Sequence, residues 1–370
     1  MKYKKIKYFL FLGLLTYAAV ELTCFIFIKS GYIKAKHPSY HYEFTVTKYF
    51  YHVADINPVW GTWHYPDDYE LKDECYKTLY TINSYGARDI ERSRKTADTN
   101  RLVILGDSFM EGFGLDTSER LSNLLQKKTG YESLNFGCSN TGSTQEYLVY
   151  KNLADSFTHS AILLGFHPHT DFFDDDVAYY NTWPFSGFIF YRPFFVGNYP
   201  DYKLEYRPSA IDSSTFNKKG YFELANSFKG RVGRFLRAYT WWFNIIDYWR
   251  FNKVGSERYG KNYTGFNDYT LPQFQRLTYI LTQLKKIAAG KRIIVCTIPI
   301  ESDVTTYLAG GKNKLGKELS EFCQKNNIEF VDLLPVFAKA NDKNLYFTCD
   351  PHWNEKGNLL AADTLMKLFK

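Results

Sequence analysis

The side chains best suited to chemistry in this sequence are one serine in its first third and an aspartate and histidine near its end. Ser108 closes the run Arg101-Leu102-Val103-Ile104-Leu105-Gly106-Asp107-Ser108 and is followed by Phe109-Met110-Glu111-Gly112. Asp350 and His352 belong to Asp350-Pro351-His352-Trp353-Asn354-Glu355-Lys356-Gly357. A serine hydroxyl is a poor nucleophile at neutral pH until an imidazole takes its proton. The imidazole in turn needs a carboxylate to fix its tautomer and stabilise its cation. These three groups are the set that nucleophilic acyl chemistry requires. One proline between Asp350 and His352 lets a rigid loop turn both side chains toward one site. Asp350, two residues before the histidine, is the candidate carboxylate.

Such groups need a scaffold that brings them together. A short, continuous apolar run reads as a buried parallel strand, and α/β sheets hold their chemistry at the carboxyl ends of such strands. Residues 101–106 fit that pattern and put Ser108 at the mouth of a crevice. Asp116-Thr117-Ser118-Glu119 reads as a capping box opening a helix with Leu121, Leu124 and Leu125 on one face, ended by Gly130. A strand at 133–136, a turn at 137–142, a helix to about 154 and a strand at 161–166 follow. The alternation breaks between about 172 and 271, an insertion crowded with Trp183, Phe185, Phe188, Phe190, Tyr191, Phe194 and Phe195. A helical pattern from about 222 to 253 is expected to cover the core, with a membrane-surface helix as the other reading. The pattern resumes with a helix over 277–287, a strand at 292–298, a helix at 314–325, a strand at 329–332 and a closing helix over 354–369. Strand–helix alternation at this spacing predicts parallel pairing with right-handed crossovers, hence a three-layer α/β/α sandwich with a mostly parallel sheet. The divisions expected are an N-terminal segment of residues 1–30, a lead-in of residues 31–98 and a main domain of residues 99–370.

The pair Gly106-Asp107-Ser108-Phe109 and Asp350-Pro351-His352-Trp353 resembles the SGNH (GDSL-type) hydrolase superfamily. With the lead Asn83-Ser84-Tyr85-Gly86-Ala87-Arg88-Asp89, it is similar to bacterial membrane-anchored members related to polysaccharide acyl esterases and O-acetyltransferases. The resemblance spans about residues 55–370 in scattered blocks, and it implies the flavodoxin-like fold of that superfamily. It also implies an oxyanion hole built from the Ser108 backbone N–H and a group from each of two further blocks. Matching residues 135–140 puts Asn140 where glycine is usual, which keeps an N–H but strains a left-handed backbone. Matching residues 164–171 puts Thr170 where asparagine is usual, leaving a shorter side chain with a single donor. His167 and His169 are alternatives for that donor. Asp107, His167, His169 and Trp353, adjoining these blocks, are candidate substrate contacts. The stretch around Trp60 and Trp63 is expected to pack beside the main domain, as in the resembling proteins.

His167-x-His169-x-Asp171 also has a metal-ligand spacing if the segment is extended. It lacks a further ligand cluster, so neither a metal nor a cofactor is expected. Asp174-Asp175-Asp176 reads as a solvated turn. The net charge is +7 with basic residues spread along the chain, which argues against nucleic acid as a partner. Aromatic residues make up 19% of the chain, enough to supply stacking surface for sugars or acyl groups as well as an aromatic core. Six cysteines, one of them Cys24 in the N-terminal apolar run, leave five elsewhere, so a complete disulfide framework is not expected.

That apolar run extends from Tyr8 to Ile28 behind Lys2, Lys4, Lys5 and Lys7, interrupted by Glu21. At about 1.5 Å per helical residue it reaches the thickness of a hydrocarbon core, and it lacks a convincing cleavage site. It reads as an uncleaved, single-pass signal anchor with the bulk of the chain outside the cytoplasm. The functional expectation is an esterase removing O-acyl, chiefly O-acetyl, groups from a cell-surface carbohydrate. The alternatives are an O-acyltransferase fed by a membrane acyl-donor protein, and a carbohydrate-binding or assembly component with a residual site.

Overall fold

The structure is a computed structural model that describes residues 2–33, 35–38, 55–64, 66–73, 75–182, 191–207, 227–259 and 263–369. The expected aromatic cluster at Trp183, Phe185, Phe188 and Phe190 lies outside the described residues. The chain divides into two compact units, Met1–Lys48 with Tyr221–Asn262, and Tyr49–Gly220 with Tyr263–Lys370.

The larger unit is built on a five-stranded parallel sheet. Its strands are β1 (Arg101–Gly106), β2 (Glu132–Asn135), β3 (Ala161–Phe166), β4 (Arg292–Thr297) and β5 (Glu329–Val331), in the spatial order β5-β4-β3-β1-β2. Every residue of β1 and β3 is buried, as strands covered on both faces must be. Helices Leu121–Thr129 and Glu355–Leu365 pack as one pair, and Ser143–Asn152 and Leu271–Ile287 as another. This is the α/β/α sandwich the alternation predicts. The order reverses between β1 and β3, and a reversal of this kind opens a crevice beyond the strands' carboxyl ends. Ser108 follows β1 directly, and residues 167–171 follow β3.

The helix starts obey local chemistry. Thr270 and Gln273 form a reciprocal capping box, so that helix begins at Leu271, six residues ahead of the predicted 277. The Asp116–Glu119 box opens a 3₁₀ turn, and the α-helix follows at Leu121. Trp60 and Trp63 are buried in the main core, the latter donating its indole N–H to Tyr85 O at 2.9 Å.

The helical pattern expected at 222–253, whose first five residues lie outside the described residues, is two helices, Phe228–Tyr239 and Trp241–Tyr259, broken at Thr240, whose backbone is extended. They cluster with the N-terminal helix Lys2–Lys29 in the smaller unit. There Glu21 is satisfied on both oxygens, accepting from Tyr17 Oη and from Trp241 N, each at 2.8 Å. One disulfide joins Cys75 and Cys349, in keeping with the expectation that no complete disulfide framework forms. The remaining cysteines of the larger unit, Cys138, Cys296 and Cys323, are buried thiols.

Glycines let the crevice loops approach one another. A Cβ on Gly137 would lie 2.4 Å from Glu111 N and 2.6 Å from Met110 C, backbone atoms that have no rotamer with which to yield. Gly137→Ala should therefore destabilise the folded chain by about 1–3 kcal/mol in denaturant unfolding, and an unchanged midpoint would show that the two loops are not packed this closely.

Candidate active site

Ser108 begins a one-turn helix, Ser108–Glu111, capped by Asp107, whose Oδ1 accepts from Phe109 N at 2.9 Å. His352 reaches it from the other end of the chain, with Nε2 2.6 Å from Ser108 Oγ. Asp350 Oδ1 accepts from the His352 backbone N–H at 3.0 Å and also pairs with Nδ1 of the same ring. A carboxylate only accepts, so Nδ1 carries a hydrogen and Nε2 faces the serine as a base. Phe113 stacks on the imidazole with centroids 4.6 Å apart, and Phe109 lies against it at the same distance. All three polar residues are half-buried, so a ligand can reach them.

Burial alone would lower the His352 pKa. The charge and hydrogen bond of Asp350 outweigh it, and the net shift is upward from the ordinary value near 6.5.

The loop bearing Asp350 is held from both sides. Cys349 is bonded to Cys75, with Cα atoms 5.8 Å apart, in the turn between the antiparallel strands Asp68–Lys72 and Lys77–Thr81. On the other side Phe347 N donates to His352 O at 3.0 Å. Trp353 is buried and donates its indole N–H to Pro299 O at 2.9 Å. It anchors the loop from below and is not placed to touch a substrate. Asp107 is likewise buried, with Oδ2 2.8 Å from His167 Nδ1, and so supports the loop rather than facing the crevice.

The second predicted oxyanion residue, Asn140, has φ of 61°, the left-handed conformation expected where glycine is usual. Its loop is tied to the end of β1 by Cys138 N donating to Gly106 O at 3.0 Å. Two clamps missed by the sequence reading fix the loop. Glu111 Oε2 accepts from both the backbone N–H and the hydroxyl of Ser139, and Arg192 donates to Asn140 O while pairing with Asp174 at 2.7 Å. Arg88, quoted in the lead motif, lies with its guanidinium 3.3 Å from the centre of the Tyr80 ring. It donates to the carbonyls of Glu111 and Gly112, which close the serine-bearing helix, and to that of Leu115 in the loop beyond.

Thr170 is half-buried in the first turn of the helix Pro168–Asp174, with Oγ1 2.9 Å from His167 Nδ1. Because this segment is helical and not extended, the alternating face assumed for a His167, His169, Asp171 metal site does not form. His167 turns to Asp107, and Asp171 Oδ2 accepts from His167 N at 2.7 Å. Among the described residues, His64, Glu111 and Cys138 bring one donor atom each within 4.8 Å of one another. All three are buried, and the Glu111 oxygen 3.4 Å from His64 Nε2 is the one already holding Ser139. The set reads as a hydrogen-bond clamp. The solvated acidic turn is also corrected: Asp175 is buried and accepts from Thr144 N at 2.9 Å, at the start of the helix Ser143–Asn152, and burial pushes it up to about 6. Behind it Glu146 is held well above the usual carboxylate range by burial and then by the charges of Asp107 and Asp175. Desolvation thus favours the neutral form at both Asp175 and Glu146.

The fold and side chains define an α/β protein with a serine–histidine–aspartate constellation at the switch point of its sheet. No family model matches the sequence, and no curated protein matches it. Among solved structures, it is similar to a member of the lipolytic G-D-S-L family from Veillonella parvula (12% identity, 73% of this chain and 97% of that one, TM-score 0.38). It is similar also to a carbohydrate esterase family 2 enzyme with a carbohydrate-binding domain from Corynascus thermopiles (11% identity, 75% and 68%, TM-score 0.38). A third is a carbohydrate acetylesterase family member from Sinorhizobium meliloti (11% identity, 72% and 96%, TM-score 0.31). Likeness this loose carries no functional weight, and the reading below rests on the side chains.

A general base must be neutral to act, so kcat/KM should fall as pH drops through the raised His352 pKa. Asp350→Asn should move that acid limb to lower pH and reduce the plateau by on the order of 10⁴. An acid limb that stays in place in the pH–rate profile would remove Asp350 from this role.

Proposed function

We propose that this protein is an SGNH-type serine esterase that removes O-acyl groups, chiefly O-acetyl, from a cell-surface carbohydrate through an acyl-serine intermediate. The observation carrying the proposal is the 2.6 Å approach of His352 Nε2 to Ser108 Oγ, with Asp350 behind the ring. In this reading His352 takes the hydroxyl proton as Ser108 Oγ attacks the ester carbonyl, and Asp350 stabilises the imidazolium. The backbone N–H groups of Ser108 and Asn140, with the Thr170 hydroxyl, receive the developing oxyanion, each donor contributing on the order of 10²–10³ in rate. The imidazolium then protonates the departing sugar oxygen, and water activated by the same base releases the acid. His169 lies beside this third donor position, its imidazole ring half-buried and 6.1 Å from that of His167.

A carbohydrate substrate is supported by a half-buried aromatic group beside His352, in which Tyr76 packs against both Phe113 and Phe347 and Phe113 stacks on the imidazole. A membrane location is supported by the helix Tyr3–Lys29, long and apolar enough to cross a bilayer, with the rest of the chain outside the cytoplasm in this reading.

The full chain in detergent micelles should hydrolyse a chromogenic acetyl ester, and Ser108→Ala should reduce turnover by on the order of 10³ or more. Turnover indifferent to that substitution would sink the proposal. If an added glycan hydroxyl captures the acetyl group in preference to water, the enzyme is instead the transferase expected as the alternative, which needs a membrane acyl-donor partner.

A further inference from the structure

The helices Phe228–Tyr239 and Trp241–Tyr259 are built inside out for a protein surrounded by water. In the first, Phe228, Val232, Phe235 and Tyr239 recur at intervals of four, three and four residues, which is one stripe of a helix. That stripe faces outward: Phe228 is 85% exposed and Phe235 50%. The inward side carries small and polar residues, with Arg234 and Ala238 buried and Arg237 paired with Asp247 of the second helix. Ile246 and Trp249 are exposed apolar residues of the second helix. A soluble helix hides its large apolar residues and exposes its charges, and an exposed contiguous apolar stripe marks a surface that something apolar covers.

The packing of this unit indicates what covers it. Trp241, at the corner between the two helices, donates its backbone N–H to Glu21 Oε2 at 2.8 Å and packs edge-on against Phe25 at 5.0 Å. Both partners lie inside the apolar helix, and Lys29 at its end reaches over the same indole ring. Glu21 is eight residues before Lys29, or about 12 Å along a helix axis, well within one leaflet of a hydrocarbon core about 30 Å thick. The exposed bases Lys229 and Arg231 flank the stripe, where lipid phosphates would meet them.

We infer that the helix pair 228–259 is a membrane-embedded cuff. Its corner enters the leaflet at the carboxyl end of the anchor helix, and the stripe Phe228, Val232, Phe235 and Tyr239 lies at the boundary of acyl chains and head groups. The occupant of the surface is bilayer lipid. The inference rests on reading residues 3–29 as the bilayer span. It assigns to the insertion a lipid contact additional to that span.

Depth-dependent quenching in anionic phosphatidylcholine–phosphatidylglycerol vesicles tests it. The full chain is reconstituted with an environment-sensitive fluorophore on Phe235→Cys, on Leu14→Cys in the anchor, or on Leu308→Cys, an exposed apolar position of the larger unit. Brominated lipids should remove most of the emission at positions 14 and 235, with bromine near the head groups the more effective at 235, and leave position 308 unaffected. Quenching at 14 but not at 235 leaves the anchor standing and overturns the cuff. Quenching at neither overturns both.

Discussion

Everything chemical in this protein depends on one hydrogen bond between groups 244 positions apart in sequence, from Ser108 Oγ to His352 Nε2. Closing so long a loop costs conformational entropy that a hydrogen bond worth about 1 kcal/mol net does not offset. The contact exists because the sheet is assembled first in the energetic sense. The buried strands β1 and β3 set where the serine can be, and the packing of Glu355–Leu365 against Leu121–Thr129 sets where the chain before it must arrive. Asn358 makes that arrival specific, accepting from Leu121 N at 3.1 Å while holding Trp353 O from the other end of its side chain.

The crevice loops follow the same logic at shorter range. Several segments around the serine are held by a buried charged side chain whose partners lie elsewhere in the chain. Glu111 holds Ser139, Arg192 holds Asn140, Arg88 holds the end of the serine helix, and Asp107 holds His167. Such groups contribute little net stability once desolvated. Removing one partner is expensive, so the arrangement resists the small displacements that would spoil a reacting geometry. The disulfide from Cys75 does for the Asp350 loop what these polar clamps do for the others.

Much of this could be read in the sequence, and the reasons are specific. The run 101–106 followed by Gly-Asp-Ser carries both its strand type and its crevice position, because a buried parallel strand has few other spellings. Asp350 and His352 could be paired because a two-residue spacing across proline leaves little freedom. The clamps were not legible: Glu111 accepts from the Ser139 N–H and Arg192 donates to the Asn140 carbonyl, and no spacing rule connects a side chain to a backbone group tens of residues away. Asp175 failed for a related reason, since three adjacent carboxylates look solvated until a helix start is known to lie over one of them. Periodicity alone could not say what the stretch at 222–253 faces, because an aromatic helical stripe has the same period against a protein core and against lipid.

The central claim is that Ser108, activated by His352, forms the covalent bond in turnover. Intact-mass spectrometry of the full chain after exposure to a fluorophosphonate measures this directly. The account predicts one adduct per chain, mapped to Ser108, and its loss in His352→Ala while the fold persists. A folded chain that takes up no adduct, or carries it on another residue, would contradict the account.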